Sequence, residues 1–497
     1  MKDVTDEFVS YFQTLLGGTR VQRDIDLNFL QSDLKYCLTI EEADTICAPI
    51  TLTEINDATF DIDEDNAPGP DGYTSGFFKA SWSVVGNDIS AAVGEFFTTG
   101  RLLKQVNATL LVLIPKVQIP SQVSDFRPIS CCNVIYKIIS KIIVKRMQRV
   151  LHLLIDYSQN AFIPGRNISD NILLAQELLA GYNEAKLPPR CTIKIDLQKA
   201  YDSMEWDFLI EVLKLYKFPA RFIGWIEQCV TTASFSVSLN GSIYGFFPGK
   251  RGLRQGDPLS PYLFVLVMQT WHSLFQYRVH NAPQFQFHWK CKEQRILNLC
   301  FADDVLLFCK ADLPSIQVIK DSLQEFAALS GLQVNPNKSQ IILSRAGQQG
   351  STGRGYAKVA WEQVCRQKEE GGLGFRNILV MNQALMLKHL WKLIQNDRNS
   401  IWADWIIKHR LHKKTLWTFH GSIGSWGWKK MIKLRPFFQR GLQYKVGDGL
   451  YFQLWQDIWH ERGPLCVSYP QGPNVTGLPI DTLLSRVMRH GQWNWPT

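Results

Sequence analysis

The chain has 497 residues, which is more than one ordinary domain needs and predicts two to four domains. Its 45% hydrophobic and 12% aromatic residues suffice for a sizeable core, and no apolar run is long enough for a membrane span. The acidic start over residues 1–7 lacks the apolar stretch of a secretory signal. The 11 cysteines contain no Cys-x-x-Cys pair, which favours a reduced intracellular protein over a disulfide scaffold or a zinc site.

The net charge of +9 is unevenly distributed along the chain. Residues 1–70 hold 4 basic and 15 acidic residues, whereas residues 351–497 hold 21 basic and 9 acidic residues together with 11 of the 16 tryptophans. Basic residues interleaved with aromatic rings suit a nucleic-acid surface, where charges meet phosphates and rings stack on bases. A helical domain with a tryptophan core and a solvated basic face explains the same pattern, so both interpretations stay open.

The N-terminal third is predicted to be largely helical. The predicted elements are acidic amphipathic helices in 1–60, a helical stretch in 73–104 that ends near Gly100, a buried strand at 110–114, a loop at 121–130, a basic amphipathic helix at 133–155 and a helix at 168–186. The loop before the second stretch is rich in Pro and Gly, from Asn66 to Gly72.

The next part alternates strands with helices. Its predicted elements are a strand at 191–197, a hairpin at 234–247 that turns at Asn240-Gly241, a Gly/Pro-rich loop at 251–261, an apolar helix at 262–277, a helix at 313–330 and a strand at 340–343. This order predicts a β–α–β–β–α–β arrangement around one sheet, which is an α+β fold, after the helical N-terminal part.

Two adjacent carboxylates, Asp303 and Asp304, stand between two short apolar runs, 298–302 and 305–308. The runs have the length of buried strands, so we expect a tight hairpin with both carboxylates at its tip. Burying two like charges is costly unless a cation or hydrogen-bond donors compensate, and hard divalent ions prefer carboxylate oxygens. The alternative is a solvated turn, because Asp is a common turn residue.

Asp196, at the end of the strand at 191–197, is the natural partner of this pair. Transfer of a nucleotide to a primer 3′-hydroxyl uses two Mg²⁺ ions held by carboxylates from more than one strand. The same chemistry needs cations on the triphosphate and a surface that positions the base over its template.

Motifs around these carboxylates follow one another in the order of a known family. They are Ala67-Pro68-Gly69-Pro70-Asp71-Gly72, Ile114-Pro115-Lys116, Phe126-Arg127-Pro128-Ile129-Ser130, the run 159–166, Asp196-Leu197-Gln198-Lys199-Ala200-Tyr201-Asp202, the run 252–261, Phe301-Ala302-Asp303-Asp304 and Asn335-Pro336-Asn337-Lys338. Through these motifs the chain resembles the reverse transcriptase of a plant LINE-type (non-LTR) retrotransposon, continuously over residues 1–345.

The resemblance implies a right-hand polymerase with fingers and palm around an antiparallel palm sheet. The implied parts are an acidic helical N-terminal region at 1–105, fingers and palm at 106–345, a linker or deletion junction at 346–358 and a basic, Trp-rich, mostly helical C-terminal region at 359–497. It also implies an RNA template, a DNA primer, dNTPs and Mg²⁺ (or Mn²⁺) as partners, with no membrane. The oligomeric state and the compartment, nucleus or cytoplasm, are not implied.

Residue roles also follow from the resemblance. Asp196 and Asp303 would be the principal Mg²⁺ ligands, supported by Asp304 and by the backbone carbonyl of Leu197. The implied nucleotide-binding residues are Lys116 and Arg127 on the triphosphate, Tyr201 under the sugar, and Gln255 and Gly256 in the nucleotide and template pocket. Lys338 would approach the pyrophosphate and donate a proton to it. Asp202 and Asp257 are interpreted as structural.

The chain departs from the family pattern at three places. The resemblance leads us to expect an endonuclease before the polymerase, a primer-grip hairpin and helical thumb after Leu343, and a Cys/His cluster after the Trp-rich segment, and we interpret all three as lacking from this sequence. We therefore expect a polymerase of reduced activity. The alternatives are a catalytically inactive remnant that binds RNA, an RNA-dependent RNA polymerase, which Tyr201 and Phe301-Ala302 argue against, and a group II intron maturase, which 126–166 fits less well.

Overall fold

The computed structural model describes residues 2–18, 25–182, 184, 186–344 and most of 378–494. Two compact units divide the chain: the first comprises 1–166, 189–289 and 295–343, and the second comprises 167–188, 290–294 and 344–497. The predicted junction at 346–358 lies outside the described residues, and the boundaries between the four predicted parts remain predictions. None of the described helices combines the length and the apolar character that crossing a membrane requires.

The helices are numbered in chain order. They are α1 Lys2–Gly17, α2 Ile40–Ile46, α3 Leu52–Phe60, α4 Ser75–Ala80, α5 Trp82–Thr99, α6 Val134–Leu154, α7 Ile168–Leu179, α8 Trp206–Leu215, α9 Ala220–Thr231, α10 Ser260–His280, α11 Leu313–Ser330, α12 Ile378–Ile394, α13 Ile401–Ile406, α14 Trp426–Lys433, α15 Arg435–Gly441, α16 Leu465–Ser468 and α17 Gly472–Thr476. Sequence signals set several ends: Thr39 and Thr51 form capping boxes at α2 and α3, and Gly100 and Gly331 end α5 and α11 in the left-handed conformation.

The strands are β1 Ala108–Pro115, β2 Phe126–Cys132, β3 Arg190–Ile195, β4 Ser234–Leu239, β5 Ser242–Pro248, β6 Asn298–Phe301, β7 Asp304–Lys310, β8 Gln340–Leu343, β9 Met488–Arg489 and β10 Gln492–Trp493. The first unit holds two four-stranded sheets, ordered β2-β1-β4-β5 and β6-β7-β3-β8. Every pairing in the second sheet is antiparallel, so the predicted α+β class with an antiparallel palm sheet is confirmed.

Two sequence predictions about the sheets are wrong. The hairpin β4–β5, which turns at Asn240-Gly241 as predicted, does not join the palm sheet, because β4 pairs in parallel with β1. The segment predicted as a loop at 121–130 contains the first five residues of β2, which pairs antiparallel with β1. The first error arises from a pairing between distant segments, and the second arises because a strand's formation depends on its partner strand as well as on its own sequence.

The core of the first unit is built around α6 and α10. Helix α10 is apolar on nearly all sides and is buried along most of its length, and α6 buries much of its surface as well. The predicted basic helix at 133–155 is therefore largely internal. Its Arg146 is 2% exposed and donates hydrogen bonds to both carboxylate oxygens of Glu54, at 3.0 and 2.9 Å.

The second unit has its own core, in which tryptophans and buried ion pairs stand together. Trp402, Trp405 and Trp428 are buried. Lys392 contacts both carboxylate oxygens of Asp170 at 2.8 Å, and Arg410 contacts Glu177 at 2.7 Å. For these three tryptophans the core interpretation of the C-terminal region holds, whereas Trp426 is 69% exposed.

Candidate active site

The carboxylate hairpin forms as predicted, but its turn is displaced by one residue. Phe301 pairs with Asp304, so the tip consists of Ala302 and Asp303, and Asp304 is the first residue of β7. Ala302 has a φ of +54°, in the left-handed region that non-glycine residues rarely adopt. The residue that precedes Asp303, Ala302, is therefore held in a constrained backbone conformation at the end of a buried hairpin.

Asp196 follows the last residue of β3, a central strand of the palm sheet. Its backbone is held on both sides, because its N–H donates to Ser339 Oγ at 3.1 Å and its carbonyl accepts from Asn335 N–H at 2.8 Å. Since Ile195 pairs with Val305 on β7, the sheet register brings the end of β3 beside the start of β7. Antiparallel pairing thus brings together two carboxylates that are more than 100 residues apart in the chain.

A cavity of about 590 Å³ opens at this end of the palm sheet, and most of the predicted site residues line it. Those that line it are Lys116, Arg127, Asp196, Leu197, Tyr201, Gln255, Asp303 and Lys338. Asp304 and Gly256 do not line it. Lining residues without a predicted role include Lys199 and Asn335, and Asp202, which was interpreted as structural, also lines the cavity.

Asp303 is the carboxylate whose environment resists ionisation. Its pKa is raised, first by desolvation and then by the charges of Asp304 and Asp196, while Arg127 opposes the shift. Within the described residues, no three His, Cys, Asp or Glu side chains converge closely enough to form a metal site. The oxygen donors nevertheless fit a hard divalent cation, because such an ion would compensate carboxylates whose mutual repulsion is visible at Asp303.

Four cations stand around the same cavity. The pKa of Lys116 is lowered, first by burial and then by the positive charges of Arg127, Lys199 and Lys338, while Asp202 opposes the shift. Lys116 also donates to the carbonyl of Ser124 at 2.9 Å, which fixes its direction. A cluster of positive charges that together lower the pKa of Lys116 suits a polyanion such as a triphosphate.

Tyr201 lines the cavity with its ring held in place. The ring stacks on Phe264 of α10, with centroids 4.9 Å apart and planes 14° apart. Burial, and secondarily the charge of Asp303, raise the pKa of its hydroxyl well above the usual value. Tyr201 therefore presents a neutral, rigid aromatic surface close to the carboxylates.

Gln255 is oriented by a buried carboxyl group. Its Nε2 donates to Asp202 Oδ1 at 3.0 Å, and its backbone carbonyl accepts from Ser130 N–H at 2.7 Å. Gly256, the next residue, has a φ of +105°, and a Cβ there would lie 3.1 Å from the carbonyl oxygen of Ser130. The loop can therefore follow β2 this closely only with glycine at 256.

The far side of the same loop is anchored in the core. Arg254 donates to Asn107 Oδ1 at 2.7 Å and lies 3.9 Å from the ring centroid of Tyr136. Asp257 accepts from the Tyr136 hydroxyl at 2.7 Å and from Leu259 N–H at 3.0 Å. These contacts support the loop from behind, away from the residues that line the cavity.

Comparison with known proteins accounts for this arrangement. Residues 114–376, more than half of the chain, match the family model described as reverse transcriptase (RNA-dependent DNA polymerase). The chain belongs to the reverse transcriptase family. The domain is of the non-LTR retrotransposon type, LINE-like and R2-like.

Relatives of this reverse transcriptase domain include two large transposon proteins. The uncharacterized 149 kDa protein of transposon TX1 from Xenopus laevis is 29% identical over 314 residues, which is 63% of this chain and 24% of that protein. The Pol polyprotein of the type-2 retrotransposable element R2DM from Drosophila melanogaster is 28% identical over 278 residues, 55% of this chain and 24% of that protein. The chain thus spans about a quarter of the length of these relatives.

Among solved structures, a telomerase from Candida tropicalis, in complex with a fragment of telomeric RNA, aligns with this reverse transcriptase domain at a TM-score of 0.36. The two chains are 18% identical, and the alignment covers 57% of this chain and 47% of the telomerase.

Sequence reasoning missed the supporting residues of the reverse transcriptase site. It interpreted Asp202 as structural, and Asp202 both lines the cavity and orients Gln255. It assigned no role to Asn335 and Ser339, which hold the backbone of Asp196. The motifs around these positions were visible, but their contacts join segments that are far apart in the chain.

Proposed function

We propose that this chain is an RNA-directed DNA polymerase that adds dNMP units to a primer 3′-hydroxyl on an RNA template. The observation that carries the proposal is one cavity lined by carboxylates from two strands of the palm sheet and by four cations. A nucleoside triphosphate and divalent cations need that combination, because the carboxylates hold the cations and the basic side chains hold the phosphates.

Most of the predicted residues have a role in the proposed mechanism. Asp196, Asp303 and Asp304, with the carbonyl of Leu197, would hold Mg²⁺ or Mn²⁺. The chemistry that such bound ions supply is activation of the 3′-hydroxyl and neutralisation of the leaving pyrophosphate. The remaining steps belong to side chains of the cavity.

Lys116, Arg127 and Lys199 would bind the triphosphate and orient it. Lys338 would donate a proton to the departing pyrophosphate. Tyr201 would stand beneath the incoming sugar, where its fixed ring leaves no room for a 2′-hydroxyl. Support for that role comes from the stacking of Tyr201 on Phe264 at the cavity wall.

The test is primer extension on an RNA template with Mg²⁺ or Mn²⁺, comparing dNTPs with NTPs. Asp303→Asn removes one charge and keeps the shape, so we expect extension to fall by at least about a thousandfold. Asp321→Asn, on the exposed face of α11, is the matched control and should keep the parent rate. Extension that survives Asp303→Asn, or that prefers NTPs, would contradict the proposal.

We further propose the plant LINE-type origin and the internal loss of the thumb after Leu343. The basis of the first is the order of the motifs over residues 1–345, and the basis of the second is the short segment between the last palm strand, β8, and the Trp-rich region. Without a thumb the template–primer duplex loses a clamp, so we expect short products and frequent dissociation. Long products made in a single binding event, measured with a trap that captures released enzyme, would refute the deletion.

The second candidate, an inactive remnant that binds RNA, is favoured by a surface of the second unit. On α14 and α15, Trp426 and Phe437 are 69% and 62% exposed, and Lys430 lies 5.5 Å from the Trp426 ring centroid. We call the set Trp426, Lys430, Lys433 and Phe437 the basic aromatic face. Salt-sensitive RNA binding without any extension by the parent chain would favour this candidate.

A further inference from the structure

A buried glutamine contacts the backbone of the carboxylate hairpin. Gln159 is 3% exposed. Its Oε1 accepts from Ala302 N–H at 3.1 Å and from Ala161 N–H at 3.0 Å, and its Nε2 donates to the Ala302 carbonyl at 3.5 Å. One side chain therefore hydrogen-bonds both the N–H and the C=O group of the residue that precedes Asp303.

The backbone of Gln159 is anchored independently of its side chain. The segment runs parallel to β6, with Asn160 N–H donating to the Cys300 carbonyl at 3.2 Å and Cys300 N–H donating to the Ser158 carbonyl at 2.8 Å. The Arg166 guanidinium donates to the Gln159 carbonyl at 2.8 Å. A substitution of the side chain should therefore leave the segment in place.

The conformation of Ala302 is what this side chain supports. At φ +54° an alanine lies in a region that its Cβ disfavours, so the surrounding structure must select it. The Gln159 amide offers matched partners only when the Ala302 N–H and C=O point toward it. Relaxation of Ala302 to an ordinary φ would break both contacts and turn Asp303 away from its present direction.

We propose that Gln159 is a positioning residue that holds Ala302 in the left-handed conformation and thereby directs Asp303 into the cavity. Its effect on catalysis rests on the proposed polymerase function, whereas its effect on the hairpin does not.

The test uses three variants and two readouts. Gln159→Leu removes the side-chain hydrogen bonds at similar volume. Gln269→Leu is the matched control, because Gln269 is also buried and its Oε1 accepts from a backbone N–H, that of Asp156, at 2.9 Å. Ala302→Gly, made in the Gln159→Leu background, tests rescue, since glycine adopts a positive φ without a steric cost.

The first readout is steady-state primer extension together with template–primer affinity. We expect Gln159→Leu to lower kcat about tenfold while affinity for the template–primer stays within about twofold, as for loss of a buried hydrogen bond at a positioned group. Gln269→Leu should keep kcat within about threefold of the parent value despite a similar loss of thermal stability. Ala302→Gly should restore part of the kcat lost in Gln159→Leu.

The second readout is amide hydrogen exchange of the peptide that spans β6 and β7, without nucleotide or metal. Gln159→Leu should speed exchange in this peptide, and Gln269→Leu should not. The inference would be overturned if this peptide exchanged equally fast in Gln159→Leu and Gln269→Leu, or if Gln269→Leu lost as much kcat as Gln159→Leu. If the parent chain extends no primer, the proposed function fails, and the exchange experiment still decides whether Gln159 holds the hairpin.

Discussion

At the scale of single residues, Asp202 shows how burial and charge compete inside the cavity. Three nearby cations, Lys199, Lys116 and Arg127, and the hydrogen bond from Gln255 favour its ionised form. Burial outweighs them and raises its pKa to about 6. The Asp202 carboxyl group therefore takes up a proton at a higher pH than an ordinary aspartic acid does.

This raised pKa predicts a pH dependence of stability. A carboxyl with a higher pKa in the folded state stabilises the fold when protonated, and that contribution is lost as the pH rises from about 4 through about 6. Asp202→Asn removes the titration and keeps an oxygen acceptor for Gln255. We therefore expect the parent to lose up to about 3 kcal/mol of unfolding free energy relative to Asp202→Asn between pH 4 and pH 7.

The comparison is made by urea denaturation at several pH values, with Asp321→Asn giving the baseline for loss of one exposed carboxylate. A parent-minus-variant difference that stays constant with pH would show that Asp202 ionises as an ordinary carboxyl.

At the scale of elements, α6 binds the N-terminal helices through one buried guanidinium. Besides Glu54, Arg146 donates to the carbonyls of Ile46 at 3.1 Å and Pro49 at 3.2 Å, so it closes the C-terminal end of α2 and the N-terminal end of α3. The basic stripe that the sequence shows on this helix is therefore partly a set of internal ties rather than a solvated face.

Replacement of this guanidinium should weaken the connection between the elements. Arg146→Met keeps length and apolar character but removes the charged partner of Glu54 and the donor to the carbonyl groups of Ile46 and Pro49. We expect the unfolding free energy to fall by about 3 kcal/mol, the scale for breaking a buried charged pair. Arg149→Met, on the exposed side of the same turn of α6, should change it by less than about 0.5 kcal/mol. Similar losses in both variants, measured by thermal or urea unfolding, would contradict a special role for Arg146.

At the scale of the whole molecule, charge is separated along the chain. The N-terminal 70 residues are acidic, whereas residues 405–447 contain ten Lys and Arg residues and no Asp or Glu. The basic aromatic face lies in this acid-free stretch. Such a surface binds a phosphate backbone by releasing counterions, so its affinity for RNA falls predictably as the salt concentration rises.

This charge separation predicts how RNA binding responds to substitution. Lys430→Glu with Lys433→Glu should lower affinity for single-stranded RNA about tenfold or more at low salt, and should reduce the slope of log affinity against log salt by about 1.4. Lys292→Glu with Lys320→Glu makes the same change in net charge at two exposed lysines that are not part of the face. An equal loss in that control would mean that net charge, and not this face, sets RNA affinity.

The local elements of the fold were predictable because each rests on short-range signals. The capping boxes at Thr39 and Thr51, the Asn240-Gly241 turn and the apolar run of α10 each act within a few residues. The carboxylates were recognisable for the same reason, since Asp303 and Asp304 stand between two strand-length apolar runs. The positions of the two sheets were not predictable, because β1–β4 and β3–β8 join segments that are distant in the chain.

The sequence alone therefore determined the α+β class, the family and the identity of eight residues that line the cavity. Only the tertiary structure decided which residues hold them in position. Gln159 hydrogen-bonds Ala302, Ser339 and Asn335 hydrogen-bond the backbone of Asp196, and Asp202 accepts a hydrogen bond from Gln255. The physical reason is the range of the interactions. Periodicity, capping and turn chemistry act between neighbours, whereas a buried polar group takes its partner from whichever segment the packing brings beside it.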